Sequence, residues 1–143
     1  MRKKLNGKIL LMAALLLWTL MVRMLTGCSV AKEAQDKVRD LDFTVVGEAE
    51  LPQELKNLVA EKQNAPFKLT YSNDTGLYIA VGYGEQPTGG YSIAVNELYL
   101  TDNSIVLDTE LKGPQKGEEV GVEKSYPYIV VQTEYLENPV IFQ

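Results

Sequence analysis

The sequence has no histidine, one cysteine and one tryptophan. Each scarcity closes off a chemistry. Without histidine there is no Ser-His-Asp or Cys-His relay. Without histidine or a cluster of thiols, the usual zinc sites cannot be built. The single cysteine, Cys28, leaves no intrachain disulfide. Positive charge is scarce as well. From Cys28 onward, nine lysines and arginines stand against nineteen acids, a net charge of −10. That balance excludes nucleic acid as a partner, because phosphate neutralisation needs Lys and Arg. It also does not suit a domain that lies flat on anionic lipid. No cofactor is expected.

What is present starts with a targeting signal. Arg2, Lys3, Lys4 and Lys8 form a cationic segment, followed by an apolar run from Ile9 to Val22. Fourteen residues are too few for a spanning helix, which needs about 20, and match a signal-peptide core. Leu25-Thr26-Gly27-Cys28 then resembles a bacterial lipobox, with Arg23 a departure from the pattern. Residues 1–27 are expected to be a lipoprotein signal peptide, with Cys28 the lipidated residue. Its acyl chains would hold the protein on the extracytoplasmic face of the bacterial cell membrane, at about 0.8 kcal/mol per buried CH₂. Residues 28–41 are polar and charged and read as a tether. Residues 42–143 read as a single domain.

Within that domain the patterning is mostly that of strands. Phe43 to Val46 is a short β-rich stretch. Pro52 opens a helix whose apolar stripe is Leu51, Leu55, Leu58 and Val59. Strands follow at Phe67–Ser72, Leu77–Tyr83, Tyr91–Leu100, Ser104–Leu111, Ser125–Leu136 and Val140–Phe142. Leu77, Ile79, Val81 and Tyr83 share one face of their strand, and Tyr78, Ala80 and Gly82 the other. In Tyr91–Leu100 the phase slips, which predicts a β-bulge near Asn96-Glu97. The expected fold is α+β: a mainly antiparallel meander with one amphipathic helix on it. A β-sandwich or partly open barrel is the alternative.

The remaining polar chemistry is thin. Glu118-Glu119 and Glu123 are acids of a type that could serve glycoside hydrolysis, but they lie in or beside a polar loop. Asn73-Asp74-Thr75 and Asp102-Asn103 carry oxygens but lack the spacing of an EF-hand loop and read as turns. The segment Gly82–Val95 (GYGEQPTGGYSIAV) is glycine-rich. No Lys-Ser/Thr pair follows its glycines, and strand alternation replaces the helix that a phosphate loop requires. It reads as a strand-to-strand connection stiffened by Pro87. Thr88 and Tyr91 in it are candidates for partner contact, and a purely structural turn is the alternative.

From Ile79 to Glu134 the chain resembles the C-terminal domain family of the protease-complex subunit PrcB. The resemblance rests on Pro87-Thr88-Gly89-Gly90-Tyr91, the alternating Ser92–Val95, Gly113-Pro114, and Ser125-Tyr126-Pro127-Tyr128 leading into Ile129-Val130-Val131. It implies a surface lipoprotein that associates with a protease complex without being its catalytic subunit. The implied partner is an envelope protein, a protease in the family's named case. Pro87, Thr88, Gly89, Gly90, Tyr91, Tyr126, Pro127 and Tyr128 are the expected contact residues, with core or strand-pairing roles for the two tyrosine clusters the alternative. Gln86–Tyr91 is also similar to the N-P-T-T-G-Y loop of chagasin-type cysteine-protease inhibitors, which makes inhibition the alternative function. Their R-P-W loop has no match here, and Ser125–Tyr128 departs from it.

Overall fold

A strand that is apolar on both faces needs a cover on each side. The computed structural model, which describes residues 36–143, supplies two. Among the described residues, eight strands form two four-stranded sheets. The first holds β1 (Lys37–Asp40), β5 (Ser92–Thr101), β6 (Ile105–Lys112) and β8 (Val140–Phe142), in the order β1-β5-β6-β8. The second holds β2 (Phe43–Val45), β3 (Pro66–Asn73), β4 (Gly76–Tyr83) and β7 (Tyr128–Thr133), in the order β2-β7-β4-β3. One helix, α1 (Gln53–Lys62), covers the second sheet.

The two faces of β4 lead to two cores. Leu77, Ile79 and Val81 meet Leu98, Ile105 and Leu107 of the facing sheet, joined by Leu41 and Val131. Tyr78 and Ala80 meet Leu51, Leu55 and Val59 of the helix layer, with Phe67 and Val130. Leu55 is fully buried, which alone is worth about 1.5–3 kcal/mol. The order of layers is therefore sheet, sheet, helix. The fold is α+β and sheet-dominated, with no closed barrel among the described residues.

The expected meander needs amending. Its strands are split between two sheets, because β4 has apolar side chains to bury on both sides. One pair, β6 with β8, is parallel, with Ile105 opposite Val140 and Leu107 opposite Phe142. The predicted bulge is present: the β5–β6 register shifts between Val95 and Glu97. Tyr83 ties the sheets together at one end. Its hydroxyl donates to the Thr109 carbonyl at 3.0 Å and shares a 2.9 Å bond with Thr109 Oγ1.

Three local expectations are corrected. The stretch read as a tether to residue 41 contains β1, which pairs with β5, and Leu41, which is buried. All four β1 side chains are exposed, so no alternation marks it in sequence. Leu58 of the expected helix stripe is exposed, whereas Leu51, Leu55 and Val59 are buried. The strand expected over Ser125–Leu136 is regular only from Tyr128 to Thr133. The signal peptide, Cys28 and the tether up to residue 35 lie outside the described residues.

Candidate partner-binding face

Two long connections lie against each other. One joins β4 to β5 and contains the P-T-G-G-Y turn. The other joins β6 to β7, from Gly113 to Pro127. Gln86 and Ser125 form an isolated antiparallel bridge, with Gln86 N–H to Ser125 O at 2.8 Å and Ser125 N–H to Gln86 O at 3.1 Å. Ser125 Oγ donates to the Thr88 carbonyl at 2.6 Å. Gly89 N–H donates to the Gly121 carbonyl at 3.0 Å. Tyr83 N–H donates to the Pro127 carbonyl at 3.0 Å, and Gln86 Nε2 donates to the Tyr83 carbonyl at 3.2 Å.

The glycines explain the closeness. Gly90 adopts φ +82°, and a Cβ there would collide with Val120 Cγ1 and come within 3.1 Å of Pro114. Only glycine takes this backbone conformation without strain while letting the second connection lie against it. Tyr91 lies over Gly113: a Cβ added to Gly113 would stand 3.3 Å from Tyr91 Cε1.

Glu85 fastens the outer edge. Its Oε1 pairs with Lys124 Nζ at 2.6 Å, and its Oε2 accepts from the Tyr126 hydroxyl at 3.2 Å. The Lys124 hydrogen bond, and then that of Tyr126, hold the Glu85 carboxyl below the usual glutamate range. The same pairing with Glu85 raises Lys124. All three side chains are solvent-accessible, so the pair directs the loop more than it stabilises the fold.

The residues singled out from the sequence thus divide. Pro87, Thr88, Gly89, Gly90 and Tyr91 come together with Tyr126 and Pro127 around the Gln86–Ser125 bridge. Part of their bonding capacity is used internally: Thr88 Oγ1 donates to the Gly89 carbonyl at 3.0 Å, and Tyr91 is half-buried. Tyr128 departs from the group. It packs on the helix-side core and lines a pocket of about 250 Å³ with Glu48, Lys56 and Asn57 of the helix layer. Burial, and then the Glu48 carboxylate, push its phenol above the ordinary value.

Of the three acids singled out in the loop, Glu118 serves local structure. Glu118 Oε2 accepts the Gln115 N–H at 2.9 Å, and Glu118 N–H bonds the Gln115 carbonyl at 3.0 Å. Asn73 Oδ1 accepts from Thr75 N–H and Oγ1, an Asx turn. A cleft of about 510 Å³ opens elsewhere, between Pro66–Lys68 of β3 and Thr109 and Gln143, with Val81 and Tyr83 in its lining. The loop also contains a residue that periodicity passes over. Val122 is 89% exposed between the two anchored ends, Gly121 and Ser125. A lone valine in a polar loop gives no sequence pattern to detect.

Residues 77–134 match the model of a protein family described as PrcB C-terminal. The matched segment runs from the start of β4 through β7 and includes both connections. No match to a curated protein or to a solved structure was found.

Proposed function

We propose, from the match of residues 77–134 to the PrcB C-terminal family, that this chain is a non-catalytic accessory protein of an envelope protease complex. It is held at the membrane by lipid on Cys28 and binds a protein partner through the face built by the two connections. The observation that carries the reading is the mutual bracing of Gln86–Tyr91 and Gly121–Tyr126. A preorganised loop pair loses little freedom on docking, which favours recognition.

Inhibition in the manner of chagasin has less support. Those inhibitors carry a second contact loop, R-P-W, and the corresponding Ser125-Tyr126-Pro127-Tyr128 departs from it.

Crosslinked capture of the lipidated protein from its own cells, read by mass spectrometry, tests the partner. One dominant partner that belongs to an envelope protease complex supports the reading, and a clean negative in good yield overturns it. Cys28→Ser tests the anchor and is expected to abolish incorporation of labelled palmitate into the protein. Undiminished labelling of that variant would refute lipid attachment at Cys28.

A further inference from the structure

We infer that the Val122 tip, rather than the P-T-G-G-Y turn behind it, is the element that enters the partner, and that the partner offers a shallow apolar pocket rimmed by basic side chains. The inference rests on the partner-binding reading above and specifies where and how the contact is made.

Val122 is 89% exposed, against 57% for Tyr135 and 55% for Val38 and Val45. Those others lie on edge strands or beside a strand end, whereas Val122 stands on a loop between two fixed points. On one side Gly121 O accepts the Gly89 N–H, and on the other Ser125 exchanges both backbone bonds with Gln86. Just before it, Val120 lies against Gly90. Just after it, Lys124 is tied to Glu85. Only Val122, Glu123 and Lys124 lie between the anchors. The turn found in the sequence is thus the mount, and the valine is what it presents.

The mounting matters energetically. An apolar side chain held out in water gains nothing from folding, and its burial in a partner recovers the hydrophobic term. Because the backbone is already fixed, less ordering cost opposes that gain. A small anchor of this kind suits the centre of an interface with a polar rim.

Charge selects the rim. Glu118, Glu119 and Glu123 flank the tip and make no ion pair among the described residues, while Lys124 is neutralised by Glu85. The long-range field has the same sign, given the net charge of −10 from Cys28 onward. A basic surround on the partner is therefore favoured on approach, and an acidic one is repelled.

The test places a photo-crosslinking side chain at position 122 of the full lipidated chain, and in parallel at Val45 on β2 and Leu58 on α1. The expected result is a crosslink from 122 alone, mapping to partner residues that are apolar and bordered by Lys or Arg. Val122→Asp is expected to lower recovery of that partner at least about tenfold with an unchanged melt, and Val122→Ile to retain it. Crosslinks from 45 or 58 but not 122 would overturn the inference while leaving the partner-binding reading intact. Undiminished recovery with Val122→Asp, or a crosslink from 122 into an acidic surface, would do the same. If the wild-type chain recovers no partner, both fall together.

Discussion

Gly90→Ala isolates the packing of the two connections from everything else in the fold. Two effects add. At φ +82° an L side chain costs about 1–2 kcal/mol. The new methyl also collides with Val120 Cγ1 and stands 3.1 Å from Pro114 Cβ. Forcing extra volume into a packed contact costs about 1–3 kcal/mol, and the low end applies because Val120 lies on a loop. The sum is about 2–3 kcal/mol. At about 4–8 °C per kcal/mol for a small domain, the melt should fall by roughly 8–24 °C. In a Val120→Ala background the Cγ1 collision is gone while the 3.1 Å approach to Pro114 Cβ remains, so the same change should cost less, approaching the backbone part of about 1–2 kcal/mol. Gly121→Ala is the control: it has nothing within 4 Å and no positive φ, and should stay within about 0.5 kcal/mol. Thermal and urea melts of the variants, followed by circular dichroism, supply the numbers. Equal cost in both backgrounds would refute the contact with Val120. No cost at all would refute the left-handed geometry.

Two further outcomes are expected. Tyr83→Phe removes the hydroxyl that bridges to Thr109 O and Oγ1 and should destabilise by about 1 kcal/mol; an unchanged urea midpoint would show that the bond contributes nothing net. The Glu85 carboxyl is depressed in the folded state by its hydrogen bond from Lys124, so its contribution is present above the unfolded-state value and is lost as pH falls through the folded one. Carbon-detected NMR titration should place its midpoint below that of an unpaired glutamate, and Lys124→Ala should move it up; no movement would show that Lys124 is not the cause.

Much of the architecture was legible where side chains have to be buried. The slip of phase in Tyr91–Leu100 led directly to the bulge between Val95 and Glu97, since both Val95 and Leu98 need the same core. The two-faced alternation around Ile79 marked a strand covered on both sides, though not which elements cover it. What escaped was structure held by backbone bonds at the surface. β1 has four exposed side chains and pairs at a sheet edge, so nothing in Lys-Val-Arg-Asp reveals it. The parallel β6–β8 pair depends on a three-residue strand whose direction local patterning cannot specify. At the candidate face, the P-T-G-G-Y turn and Ser-Tyr-Pro-Tyr were visible as motifs. Their joining through Gln86–Ser125 is a contact across 39 positions, which no local pattern encodes.

The corner at Leu41-Asp42 has a mechanical consequence. Leu41 N–H bonds Leu98 O of the first sheet at 3.0 Å, and the Asp42 carbonyl accepts from Thr133 Oγ1 of the second at 2.7 Å. A pull on the chain at Asp36 therefore loads β1 first, then the buried Leu41, and reaches the second sheet only after that plug is drawn. Released in that order, the segment would give way before the rest of the domain. Single-molecule stretching from that end should show a short extension step, the release of Lys37–Leu41, before the main rupture. A single rupture with no such step would mean that the two sheets share the load from the start.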